Sequence, residues 1–276
     1  MRMLLPCLLV GLSASPAVTA PGGVREVVLE SWRLVWSDEF EGSALDLESW
    51  TVEVMAQPPN EELQHYTDRV DDAPGANVWI EDGVLVIEAR AEAFGDRSYT
   101  SGRIHTAGKR EFRYGRFEAR MRLPGGVGSW PAFWLLGASF PTEGWPACGE
   151  IDVIEGKGRL PDWVSGALHR GPDPERHRVT VGEHRLANGS FQQEWHRFAV
   201  EWEPAVIRWL VDDDVFFEVE RPDTPEIGEW PFDRPFFLIL NLAVGGWFDA
   251  PHRPPAPFEF EPRQLEVDWV RVWQRD

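Results

Sequence analysis

A chain of 276 residues is long enough for one large all-β domain or two small ones, and a single core of that size can bury most of its apolar surface. With 46 Asp+Glu against 27 Lys+Arg, the formal net charge of -19 argues against nucleic acid, whose binding rests on cationic contacts to phosphate. The same charge argues against an anionic membrane surface or a strongly anionic polymer, but not against a neutral polymer. The 15 tryptophans suit either a packed core or a groove whose indoles stack on sugar rings, and composition does not separate the two uses.

In chain order, residues 1–20 read as a signal peptide. Arg2 supplies the positive end, LLPCLLVGL the apolar run, and VTA ending at Ala20 the small-residue cleavage site. The run is too short to anchor in a bilayer, so a secreted protein, extracellular or periplasmic, is expected, with no membrane insertion. Cys7 leaves with the signal, and Cys148 then has no disulfide partner and reads as a small buried thiol. Residues 24–276 show no linker, repeat or composition shift, so one domain is expected. VWIEDGVLVIEAR (78–90), GRFEARMRL (115–123), FAVEWEPAVIRWLVDD (198–213), FFLILNLAV (236–244) and LEVDWVRVWQ (265–274) are strand-like, several alternating apolar with polar. Turn signals such as Glu81-Asp82-Gly83, Pro124-Gly125-Gly126 and Asp212-Asp213-Asp214 separate them, and no window shows a long amphipathic helix. The pattern predicts an antiparallel β-sandwich.

The segment GEIDVIEGKG (149–158) holds three acids. On a regular strand Glu150 and Asp152 share a face, while Glu155, five positions from Glu150, points the other way. One extra residue around Val153 or Ile154, a β-bulge, puts all three on one face and leaves Ile151 and Ile154 to the core. Crowded carboxyls raise the pKa of at least one member, and a retaining glycosidase needs one ionised and one protonated acid. The residues alone fit a solvated acidic strand as well.

EIDVIE preceded by WPACG resembles the active-site signature of glycoside hydrolase family 16, in particular its laminarinase-like branch. VWSDEFEG (35–42), NEELQHYT (60–67), SGRIHT (101–106), YGRFEARMRLPGGVGSWPAFWLLG (114–137), GALHRG (166–171), WHRFAVEW (195–202), LILNLAVGGW (238–247) and VDWVRVW (267–273) resemble the family's other blocks, in its order. The resemblance implies a concanavalin A-like jelly roll of two antiparallel sheets with a concave substrate cleft. It implies Glu150 as nucleophile, Glu155 as acid then base, and Asp152 hydrogen-bonded to Glu150. Two residues between Asp152 and Glu155 resemble the spacing of laminarinases and galactan hydrolases. Ile154, GKG (156–158) and HRG (169–171) depart from the family's usual residues and bear on fine specificity.

The resemblance also places Trp130 and Trp134, four apart on one strand face, in the cleft as sugar platforms. Arg103, Asn60 and His169 match polar cleft positions, although Arg103 equally suits a surface ion pair and a lone histidine a structural role. Asn241 needs a partner in its apolar strand, either a sugar hydroxyl or backbone, and Trp247 closes one end of the groove. The resemblance also implies a structural calcium, which relatives often hold by backbone oxygens near the start and an aspartate in the last strand; the matching positions are Glu39, Gly83 and Asp268, and oxygen ligands suit that ion. No cofactor for catalysis is expected. The implied function is retaining endo-hydrolysis of β-1,3-glucan by a monomer. The alternatives are mixed-linkage glucan or agar-type galactan as polymer, or a glucan-recognition protein without turnover.

Overall fold

The computed structural model describes residues 32–223, 230–250, 252 and 254–275. The expected signal peptide and cleavage site lie outside the described residues. From Trp32 onward the chain is a β-sandwich of a ten-stranded and an eight-stranded sheet.

The larger sheet runs Asp214–Glu220, Val206–Val211, His196–Trp202, Gly115–Arg122, Arg263–Gln274, Val84–Phe94, Arg97–Ser101 and Gln64–Tyr66. Arg33–Asp38 joins it on Arg263–Gln274, and Val78–Glu81 on Val84–Phe94. The smaller sheet runs Arg178–Arg185, Trp163–Arg170, Glu150–Gly156, Ser129–Gly137, Phe236–Val244, Arg103–His105 and Thr51–Val52, with Glu111–Phe112 also on Phe236–Val244. Apart from the parallel pair Gln64–Tyr66 with Arg97–Ser101, the named strands of the described residues pair antiparallel.

Sequence pattern explains the layering. FFLILNLAV is buried at all nine positions, as expected of a strand covered on both faces at the middle of a sheet. The edge strand Arg178–Arg185 alternates exposed and half-buried residues instead. Between the sheets lie Phe117, Phe133, Ile151, Trp202, Trp209 and Leu240, all fully buried. A second, smaller apolar cluster forms around Leu136, Cys148, Phe237 and Ile239. Among the described residues, helix is confined to Phe140–Glu143 and two 3-10 turns.

Candidate active site

The acidic strand Glu150–Gly156 carries the expected bulge. On one side Trp134 opposes Asp152 and Phe133 opposes Ile154, so Val153 has no counterpart. On the other, Ala167 opposes Asp152 and Ser165 opposes Glu155, so Val153 and Ile154 together face the single Gly166. Ile151, Val153 and Ile154 enter the core. Glu150, Asp152 and Glu155 are thereby left on the sheet's outer face, since the extra residue reverses the alternation between Asp152 and Glu155.

Cross-strand register sets what surrounds them. His169 is the partner of Glu150, and its Nε2 lies 3.7 Å from Glu150 Oε1 and 3.0 Å from Asp152 Oδ2. Asp152 therefore lies against His169, with Glu150 in the same cluster. Trp130 Nε1 donates to Glu155 Oε1 at 2.8 Å.

Burial pushes all three carboxyls up. Glu150 reaches about 8, with the charges of Asp152 and Glu155 adding to the push and His169 and Arg103 opposing it. Asp152 is raised to about 8 by burial. Glu155 is raised to about 8 by burial and by Asp152, against the indole of Trp130, His169 and Lys157. At neutral pH the site thus holds fewer than three negative charges. It retains a proton that can be given to a leaving group, as the acid of two-carboxylate glycoside cleavage must, while the three like values do not themselves divide the roles of acid and nucleophile.

Trp134 is half-buried on the same face. Arg103 stacks its guanidinium 4.9 Å from the indole centroid and also pairs with Glu53, so the expected ion pair is present. Asn241 is only 6% exposed, and the partners its amide finds within the chain are side chains rather than backbone. Its Oδ1 accepts from Trp134 Nε1 at 2.8 Å, and its Nδ2 donates to Tyr66 Oη at 3.1 Å. Trp130 is 8% exposed and stacked against Phe248 at 4.7 Å, which makes it a wall that holds Glu155 more than an open platform. Trp247 is 55% exposed beside Trp130, and its N–H donates to the carbonyl of Asn60, so these two expected rim residues are tied together.

Several residues at the site were not singled out in the sequence. Glu62, buried and raised in pKa mainly by burial, accepts from Gln64 Nε2 at 2.6 Å and Tyr66 Oη at 3.0 Å. This buried chain runs through Tyr66 and Asn241 to the Trp134 indole. Its signal was the period-two spacing of Glu62, Gln64 and Tyr66. His177 lies 2.9 Å from His169 Nδ1, under the ring of Trp145. Lys157 Nζ sits over both Phe248 and Trp163, and Arg159 binds both oxygens of Asp249.

The positions matched to calcium do not form a free ligand set. Asp268 accepts from Arg120 at 2.6 Å, the Glu39 carboxylate is held by both Nε and Nη2 of Arg271, and Gly83 sits in a turn. A cation at Asp268 competes with the Arg120 guanidinium for that carboxylate, whereas the backbone oxygens expected of Glu39 and Gly83 are not engaged by these pairs. Among the described residues, the histidine, cysteine and carboxylate atoms that do converge are those of Glu150, Asp152 and His169. Cys148 is fully buried, and burial pushes its thiol up to about 12, an inert group.

A model of glycosyl hydrolases family 16 matches residues 65–271. The chain is 43% identical to a beta-glucanase of Rhodothermus marinus over 266 residues, covering 92% of this chain and 89% of that one. It is 38% identical to a glucan endo-1,3-beta-glucosidase of Cryptopygus antarcticus, covering 88% of this chain and 92% of that one. It is similar in structure to the catalytic domain of an endo-1,3-beta-glucanase (laminarinase) from Thermotoga petrophila, with a TM-score of 0.79, 37% identity, and coverage of 90% of this chain and 100% of that one.

Proposed function

This chain belongs to glycosyl hydrolases family 16, and on that premise we propose that it cuts internal β-1,3-glucosidic bonds of a neutral glucan such as laminarin, with Glu150 and Glu155 as its reacting groups. The chain is a glycoside hydrolase of the retaining type, which needs no cofactor for its chemistry.

In the first step the Glu150 carboxylate attacks the anomeric carbon as the Glu155 carboxyl gives its proton to the departing glycosidic oxygen. The bond to the leaving sugar breaks, and a covalent glycosyl ester forms on Glu150. Glu155, now ionised, takes a proton from water. That water attacks the anomeric carbon and releases Glu150 as a carboxylate. Asp152 and His169 stand beside Glu150 to govern its charge, and Trp130 holds Glu155 by its indole N–H. Trp134, carried by Asn241 and flanked by Arg103, offers a ring for a glucose face, with Asn60 and Trp247 at the rim. The observation that carries this reading is the bulge after Asp152, which gives both glutamates one face.

The test is reducing-sugar release from laminarin, mixed-linkage glucan and agarose by the protein and by Glu150→Gln. Release from laminarin that vanishes in the variant is the expected result. Release only from another polymer overturns the substrate and keeps the mechanism, whereas full activity of Glu150→Gln overturns the mechanism.

On the sequence pattern, the chain is exported with removal of residues 1–20, and residues 24–276 act as one monomeric domain. Amino-terminal sequencing and sedimentation of the secreted protein test this. A structural calcium is not part of the proposal, because Arg120 already engages Asp268.

A further inference from the structure

We propose that Trp209, a residue of the opposite sheet, is a positioning residue that holds the active-site bulge and thereby sets the relation of Glu155 to Glu150. The inference rests on the assignment of those two glutamates given above.

Trp209 belongs to Val206–Val211 in the larger sheet and is fully buried. Its Nε1 crosses the core and donates to the carbonyl oxygen of Asp152 at 2.7 Å. That carbonyl stands where the register breaks toward both neighbouring strands. A buried carbonyl that loses its place in the ladder must find another donor, and the indole supplies it from outside the sheet. The bond is thus specific to the bulged geometry. In a regular strand the alternation continues unbroken and Glu155 turns toward the core.

The smaller sheet is shaped to admit this indole. Gly166, the single residue facing Val153 and Ile154, has no room for a side chain, since a Cβ there would lie 2.3 Å from Trp209 Cδ1. Its direct cross-strand partner is Gly182, where a Cβ would lie 2.2 Å from Phe217 Cγ. Phe217 in turn packs on Trp209 with ring centroids 4.7 Å apart. A glycine pair on two adjacent strands thus opens the inner face for two rings, and the inner ring reaches the bulge. No apolar packing requirement explains why the polar edge of Trp209 is aimed at this one carbonyl.

The test is Trp209→Phe, which keeps an aromatic ring and removes the N–H. Trp202→Phe is the matched control: Trp202 is also fully buried and donates its indole N–H to a backbone carbonyl, that of Phe232 at 3.0 Å, which is not part of the bulged strand. Both variants should lose thermal stability. Trp209→Phe should in addition lose about 10- to 100-fold in kcat, the scale of a catalytic group displaced by roughly 1 Å, with KM within about twofold and a displaced pH profile. Trp202→Phe should keep the wild-type kcat and pH profile. If both variants keep them, Trp209 is only a core residue and the inference is overturned, whereas inactivity of the wild type on every glucan would instead overturn the functional assignment. Should Trp209→Phe fail to fold, hydrogen exchange of the Trp209 indole in the wild type decides. Protection like that of the core strands supports the bond, and exchange as fast as an exposed indole refutes it.

Discussion

Replacing Glu150 by glutamine should abolish turnover and, at alkaline pH, make the protein more stable. Burial, with Asp152 and Glu155 nearby, raises Glu150 from an ordinary 4.5 to about 8. Below the unfolded value both states hold the proton, and the group has no effect on stability. Between the two values the unfolded chain has released its proton while the folded chain keeps it, so wild-type stability falls as pH rises. Above about 8 both states are ionised and the penalty is constant. At about 1.4 kcal/mol per unit, the full shift gives an upper bound of about 5 kcal/mol. The glutamine amide must itself find partners in a buried site, which offsets part of this, so the realised gain is on the order of 2 kcal/mol. For a domain of this size that is a rise in Tm of about 4–8 °C. Calorimetry of both proteins across the pH range is the assay. The difference should be near zero at about pH 4 and full at about pH 8. A variant less stable than wild type at the alkaline end, or a difference independent of pH, would refute the claim that burial holds these carboxyls protonated.

The raised Glu155 should give kcat/KM an alkaline limb above neutrality; because Lys157 opposes that rise, Lys157→Met should move the limb to higher pH, read from pH–rate profiles on laminarin. Asn241→Ala leaves the Trp134 indole and the Tyr66 hydroxyl without their partner, which should cost about 1–3 kcal/mol of stability and raise KM for laminarin oligosaccharides, checked by denaturant melts and initial rates. His177→Phe keeps a ring under Trp145 but removes the contact to His169 Nδ1; a bond worth about 1 kcal/mol corresponds to about fivefold in kcat, with KM unchanged in steady-state assays.

The bulge was legible because it follows from counting. Three acids at 150, 152 and 155 cannot share a face of a regular strand, and two isoleucines between them needed the core. Sandwich architecture was legible from period-two segments and turn signals. Asn241 was legible as a buried amide in need of partners, but not as the holder of Trp134, because its other partner Tyr66 is 175 residues away in the chain. Separation in sequence also hid Trp209, 57 residues from Asp152, whose alternation with Ile207 and Val211 marked it only as a core residue. Trp130 and Trp134 looked equivalent by spacing, yet Phe248 covers a ring of one and Arg103 flanks the other, and both come from elsewhere in the chain. His177 lies just after a short 3-10 turn with no periodicity to betray it. Periodicity reports which face a residue takes, but carries no information on which distant group meets it there.

The cations of the site bear on substrate class. Arg103 is paired with Glu53, and Arg159 with both oxygens of Asp249. Lys157 lies over two aromatic rings. Recognition of a sulfate or carboxylate on the sugar needs a donor charge that is not already paired; both arginines are paired with carboxylates, and the Lys157 ammonium lies against its two rings. In the proposed cycle Glu150 and Glu155 alternate as carboxylates, so the same face carries negative charge in each state. An anionic polymer would approach that face against both the local charge and the net charge of -19, at distances over which screening is incomplete. A neutral glucan avoids that penalty and can use the Trp134 ring. The arrangement of charges therefore favours neutral glucan over sulfated galactan on grounds independent of sequence similarity. Addition of salt should accordingly leave KM on laminarin nearly unchanged, because no charge on the substrate is there to be screened.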